Sequence, residues 1–97
     1  MANANVSLQI IPRGGDKDIY DLVDQGISVI RDSGVPYIVG PMETTMEGDY
    51  DELMEIVKKA QEAVVAAGSE RVLTVIKVDY RPSGVTMEEK IKKYRQG

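Results

Sequence analysis

The chain has 97 residues, of which 42% are hydrophobic and 29% charged, a composition typical of one folded domain rather than of a disordered segment. Its 12 basic and 16 acidic residues leave a net charge of −4, which argues against a nucleic-acid partner because such binding depends on neutralising phosphates. Cysteine and histidine are absent, which excludes disulfides, Cys/His metal sites and nucleophilic catalysis by a Ser/His or Cys/His pair.

The first half of the chain predicts a strand, a helix and two further strands. Apolar and polar residues alternate over Val6–Ile11, as in a half-buried strand. Asp16 is the expected N-cap of an amphipathic helix that ends at Gly34, where glycine can adopt the left-handed conformation. Val35–Gly40 and Met42–Glu47 then predict a second and a third strand, paired antiparallel on either side of a proline.

The second half predicts another helix, another strand and a short final helix. Asp49 is the expected N-cap of a long helix that closes at Gly68. Arg71–Tyr80 is rich in β-branched residues and apolar on both faces, which predicts a fourth strand in a central position. A short helix should follow Thr86. The order β-α-β-β-α-β predicts one α+β, ferredoxin-like domain over residues 1–97, with both helices on one face of a four-stranded antiparallel sheet.

This arrangement leaves one face of the sheet uncovered by the two long helices, and we call it the open face. If Val6, Leu8 and Ile10 point to the helices, the alternation places the following residues on the open face: Ser7, Gln9, Ile11, Leu73, Val75, Lys77 and Asp79. A surface that mixes apolar and polar groups in this way suits a subunit interface, a ligand pocket, or both.

The third strand carries an unusual set of hydroxyls, carboxylates and thioethers. Its alternation places Met42, Thr44 and Met46 on one side, and Glu43, Thr45 and Glu47 on the other. An exposed edge strand accounts for Glu43 and Thr45, whereas Glu47, beside a glycine turn, is a candidate ligand acceptor. Neither a nucleophile nor a metal ligand accompanies the two glutamates, which argues against an acid–base pair.

Three blocks of this chain together resemble the small thiamine-binding, YkoF-like family. They are VSLQIIPRG at Val6–Gly14, SGVPYIVGPMETTMEG at Ser33–Gly48 and RVLTVIKVDYR at Arg71–Arg81. The likeness spans nearly the whole chain, in order and with the expected spacing. Its most specific part is Pro41–Gly48, where this chain has Glu43 at a position that is often glycine in the family.

The resemblance implies a ferredoxin-like fold, homo-oligomers (commonly tetramers) that associate sheet to sheet, and non-catalytic binding of thiamine or its hydroxymethylpyrimidine half near subunit interfaces. On this basis Ser7, Thr44 and Glu47 are expected to orient the pyrimidine, and Met42 and Tyr37 to pack on its ring. The full set of candidate ligand-binding residues is Ser7, Gln9, Tyr37, Met42, Thr44, Glu47 and Lys77.

Two other interpretations stay open from the residues alone. One is a regulatory domain that binds a different small metabolite, and the other is a purely structural oligomerisation module. The Met1–Asn5 start lacks the basic and apolar regions of a signal peptide, so we expect a cytoplasmic protein without a membrane partner. No catalytic residue, metal or cofactor is expected.

Overall fold

A computed structural model describes residues 2–94 of the chain, and the elements follow the expected order. The elements are β1 (Ala4–Arg13), α1 (Ile19–Ser33), β2 (Tyr37–Val39), β3 (Thr44–Gly48), α2 (Tyr50–Ala66), β4 (Arg71–Tyr80) and α3 (Met87–Ile91), followed by a 3-10 turn (Lys92–Tyr94). The order of strands across the sheet is β2-β3-β1-β4, and every neighbouring pair is antiparallel. The predicted ferredoxin-like fold is therefore confirmed.

The central position predicted for β4 is wrong, because β4 forms an edge of the sheet. β1 is paired on both of its sides, with β3 and with β4, and this places β1 and β3 in the middle. Ile76 and Val78 belong to the helix-facing side of β4, yet they remain 36% and 43% exposed because the helices do not cover this edge. Their apolar character therefore does not reflect a central position.

The core lies between the sheet and the two long helices. Val6, Leu8 and Met46 point from the sheet into it, and they pack with residues of α1 and α2 such as Ile30 and Leu53. The inward orientation predicted for Val6, Leu8 and Ile10 is thus confirmed. Burial of these side chains contributes on the order of 1.5–3 kcal/mol each, which fixes the register of β1 and with it the identity of the open face.

A glycine allows α1 to approach its neighbours closely. A methyl group at Gly26 would lie 3.0 Å from the Ile10 Cδ1 atom and 3.3 Å from a methyl carbon of Val64. A residue with a side chain would fit here only if Ile10 or Val64 shifted, whereas glycine fits without any shift. α1 therefore packs close to β1, near the end of the sheet where the candidate site lies.

The predicted N-cap of α1 is wrong by two residues. Asp18, not Asp16, caps the helix, and its carboxylate accepts a hydrogen bond of 2.8 Å from the Tyr20 amide. Gly14 and Gly15 both have positive φ angles, 78° and 85°, and the bend they make delays the entry into the helix. The predicted end at Gly34 is confirmed by its left-handed conformation.

The β2–β3 hairpin is shorter than predicted. The Gly40 amide donates to the Glu43 carbonyl at 2.9 Å, so Pro41 and Met42 lie in a tight turn rather than in strands. We call residues 40–43 the hairpin turn. It determines where β3 begins to pair with β1, at Thr44.

Candidate functional site

The sheet opens into a fork beside the hairpin turn. Pairing between β1 and β3 ends at Leu8 and Thr44, whereas pairing between β1 and β4 continues to Arg13. Within residues 2–94, the β1 segment after Leu8 therefore has a strand partner only on its β4 side. Backbone donors and acceptors on the other side of this segment face the fork rather than another strand.

A cavity of about 110 Å³ occupies this fork, and we call it the fork pocket. Its walls from β1 and α1 are almost entirely apolar: Leu8, Gln9, Ile10, Val23, Gly26, Ile27 and Ile30. The hairpin side contributes residues 39–44. An engineered apolar cavity that takes up benzene has a volume of about 150 Å³, so the smaller fork pocket has room for one small ring at most.

Thr44 gives the fork pocket a polar group that is free to bind a ligand. The residue is only 5% exposed and lines the pocket. Its hydroxyl forms no side-chain hydrogen bond among residues 2–94. Every polar side-chain atom in that part of the chain that lacks a hydrogen bond keeps some exposure to solvent. The oxygen is therefore reachable from the pocket. A hydroxyl both donates and accepts, and one that is almost buried normally has a partner.

The open face carries a connected polar cluster beside the fork. The Ser7 hydroxyl donates to a carboxylate oxygen of Glu43 at 2.5 Å, and the Lys77 ammonium lies 2.9 Å from the same oxygen. Ser7 and Thr45 hydroxyl oxygens are 2.8 Å apart. Because Ser7 has a single hydroxyl proton and gives it to Glu43, Thr45 is the donor in this pair. We call these four residues the open-face cluster.

The open-face cluster stabilises the charged form of Glu43. The hydrogen bond from Ser7, together with the hydrogen bond and the positive charge of Lys77, holds the pKa of the Glu43 carboxyl below its ordinary value. A negative charge therefore persists beside the fork at neutral pH and well into the acidic range.

The other end of the open face is covered by α3. The Lys90 ammonium lies 2.7 Å from the Asn5 side-chain oxygen and 2.6 Å from a carboxylate oxygen of Asp79. A Glu47 carboxylate oxygen accepts a hydrogen bond of 2.6 Å from the Met87 amide at the start of α3. Glu47 thus attaches α3 to the sheet.

The structure distributes the seven predicted ligand-binding residues over three places. The fork pocket takes Gln9, Met42 and Thr44; the open-face cluster takes Ser7 and Lys77; and a groove of about 270 Å³ next to α3 takes Tyr37 and Glu47. The expected grouping of Ser7, Thr44 and Glu47 around one ring is not found, because Thr44 faces the helices while Ser7 and Glu47 belong to the open face.

The same holds for the two residues expected to pack on the ring. Met42 is 74% exposed in the hairpin turn, at the fork pocket. Tyr37 pairs with Met46 and packs against the core, so its ring lies on the helix side of the sheet. Of these two, Met42 is the one that the structure places beside Thr44.

The sequence interpretation missed the role of Glu43 and Thr45. Both were assigned to an ordinary exposed edge strand, but β3 lies inside the sheet and both side chains bond to Ser7. The alternation placed Glu43 and Thr45 on one side of the strand, but it did not say that this side is the one that carries Ser7. Gly26 and Ile27 of α1 also line the fork pocket.

Among residues 2–94, no group of three or more carboxylate side chains is arranged to hold a metal ion. None of the helices in that part of the chain is long and apolar enough to cross a membrane.

Comparisons with known proteins agree with this geometry. A UPF0045 protein of Clostridium perfringens is 53% identical over 95 residues, which cover 98% of this chain and 100% of that protein. The structure of a domain of unknown function, DUF77, from Bacillus cereus superposes with a TM-score of 0.94 at 49% identity, covering 98% of this chain and 93% of that one. A Thermotoga maritima structure, named as a candidate thiamine biosynthesis/salvage protein, has a TM-score of 0.87 at 33% identity, covering 96% and 99%.

The family model for thiamine-binding proteins matches residues 6–95. This match includes the whole sheet from Val6 onward, both long helices, the hairpin turn and the fork pocket. The family is described as thiamine-binding. The chain belongs to the thiamine-binding protein family.

Proposed function

We propose that this protein binds thiamine, or its hydroxymethylpyrimidine half, without catalysing a reaction, and that it does so as a homo-oligomer. The observation that carries the proposal is the fork pocket, a cavity of single-ring size with the free hydroxyl of the nearly buried Thr44 in its wall. The family membership and the thiamine-related name of the Thermotoga maritima structure support the choice of ligand.

The chemistry of the pyrimidine half matches that of the fork pocket. An aminopyrimidine is a flat ring with an amine donor next to a ring-nitrogen acceptor, so it needs a neighbouring acceptor and donor in one plane. The Thr44 hydroxyl and the backbone groups of β1 beyond Leu8 provide both kinds of group. The apolar faces of the ring would contact Ile27 and the Met42 thioether.

A binding role without catalysis suits the surroundings of Thr44. A hydroxyl nucleophile needs a base within hydrogen-bond reach, and the Thr44 hydroxyl has no such neighbour among residues 2–94. The chain contains no histidine or cysteine that could act as base or nucleophile in its place. We therefore assign Thr44 to ligand orientation.

Self-association is supported by the apolar residues that remain on the open face. Ile38, Leu73 and Val75 belong to this face and are 38%, 49% and 45% exposed. β4 also presents an outer edge that has no strand partner within residues 2–94. An exposed edge strand of 10 residues that carries several apolar side chains is a surface that natural proteins usually cover. We propose that a second copy of the chain covers it.

Isothermal titration with thiamine and with free hydroxymethylpyrimidine tests the binding proposal. Thr44→Val removes the hydroxyl at nearly constant volume and should weaken both ligands about 3- to 10-fold, the value of one neutral hydrogen bond. Thr74→Val is the matched control and should leave the affinities unchanged, because Thr74 lies on β4, its hydroxyl bonds to Gln61 of α2, and neither residue lines the fork pocket.

Two results would contradict the proposal. One is a folded wild-type protein that binds neither compound. The other is binding that Thr44→Val leaves as strong as before, because the ligand would then lie outside the fork pocket.

A further inference from the structure

The fork pocket is lined by residues whose side chains belong to both faces of the sheet. Leu8 and Thr44 belong to the helix side of the sheet, whereas Gln9 and Glu43 belong to the open face by strand alternation. All four residues line the pocket. Glu43 also lines a groove of about 320 Å³ on the open face. Glu43 is thus common to the fork pocket and the groove, and this gives a ligand longer than one ring a route from one to the other beside Glu43.

The position of Glu43 places a fixed negative charge along that path. Its carboxylate is held by the Ser7 hydroxyl, and Ser7 is itself only 8% exposed, so the carboxylate has a defined direction. The Glu43 side chain is 33% exposed, which leaves part of the carboxylate accessible to a ligand. Its lowered pKa keeps it charged at the pH of any ordinary binding measurement.

The cation that now neutralises Glu43 is easily replaced. Lys77 lies 2.9 Å from the carboxylate, but its side chain is 68% exposed on the edge strand. Such exposed ion pairs contribute little net free energy, because the lysine regains hydration and rotamer freedom when it leaves. A ligand with a delocalised, weakly hydrated positive charge could take its place at small cost.

We propose that Glu43 is a specificity residue that makes this site prefer a positively charged aromatic ligand over a neutral ring of the same shape, an inference that rests on the proposed function. With the pyrimidine in the fork pocket, the thiazolium ring of thiamine lies on the Glu43 side, and its permanent charge replaces Lys77. The neutral hydroxymethylpyrimidine carries no charge to pair with Glu43, so it gains much less from the carboxylate than thiamine does.

The test is a comparison of thiamine with neutral hydroxymethylpyrimidine in four proteins: wild type, Glu43→Gln, Lys77→Met and Glu55→Gln. Glu43→Gln keeps the shape and should weaken thiamine about 5- to 10-fold, while the affinity for hydroxymethylpyrimidine changes less than about 2-fold. Lys77→Met removes the competing cation and should strengthen thiamine about 2- to 5-fold. Glu55→Gln makes the same Glu-to-Gln change at an exposed position of α2, which lines neither the fork pocket nor the groove, and should behave as wild type.

The outcomes separate this inference from the function on which it rests. If wild type binds both compounds and Glu43→Gln weakens them equally, or weakens neither, Glu43 is not a specificity residue although the proposed function stands. If wild type binds neither compound, both proposals fail. A loss confined to thiamine, together with a gain in Lys77→Met, supports the inference, because a merely structural role of Glu43 would affect both ligands.

Discussion

The Ser7 hydroxyl lies 2.5 Å from the Glu43 carboxylate, and this bond joins the middle of β1 to the last residue of the hairpin turn. It spans the mouth of the fork, where β3 begins to pair with β1. The same bond fixes the direction and the charge of the carboxylate. One short contact thus links the local geometry of the turn to the electrostatics of the candidate site.

The first prediction concerns the dependence of stability on pH. Because the folded-state pKa of Glu43 is lowered, its stabilising contribution is complete above the unfolded-state pKa of about 4.3 and disappears as the pH falls through the folded-state pKa. Wild type should therefore melt above Glu43→Gln at pH 7, with a gap that narrows as the pH falls from 7 to 3 and Glu43 becomes protonated in the folded state. Thermal denaturation across this range measures the gap. A gap of the same size at both ends would contradict the assignment.

The second prediction separates Glu47 from the ligand. Its carboxylate accepts the Met87 amide, so Glu47→Ala should lower the free energy of unfolding by about 1–2 kcal/mol in urea titrations. The affinity for thiamine should change less than about 2-fold, because Glu47 is three residues, or about 10 Å, along the strand from Thr44. Glu55→Ala, at an exposed position of α2, is the control. A large loss of affinity with unchanged stability would contradict this assignment and show that Glu47 contacts the ligand.

The third prediction concerns the apolar part of the open face. Val75→Glu places a charge among the exposed apolar residues there and should shift the protein to a smaller species in light scattering after size exclusion. Val65→Glu is the matched control, since Val65 is 48% exposed on the helix side. The account of self-association fails if wild type is already a monomer, or if both variants dissociate alike.

Strand alternation predicted more of the fold than of the site. It placed Ser7 and Lys77 on one face, and the register of β1 and β4 pairs these two residues directly. It could not identify β4 as an edge strand. In a sequence, apolar residues on an edge strand that are exposed in the single chain look the same as apolar residues buried in a central strand. The difference depends on whether the helices cover the strand, and they do not cover Ile76 and Val78.

The fork pocket was hidden from the sequence for a different reason. It exists because the Gly40–Glu43 turn bond ends the hairpin early, so that β3 first pairs with β1 at Thr44. Pro41 indicated an interruption of the strand but not its length. Without that boundary, Thr44 could not be assigned to a cavity on the helix side, and it was grouped with Ser7 across the sheet.

The most direct test of the central claim is a crystal structure of the protein with thiamine bound. We expect the pyrimidine ring in the fork pocket within hydrogen-bond distance of the Thr44 hydroxyl, and the thiazolium ring on the Glu43 side. A pyrimidine ring bound elsewhere, with the fork pocket empty in a fully occupied complex, would contradict the account.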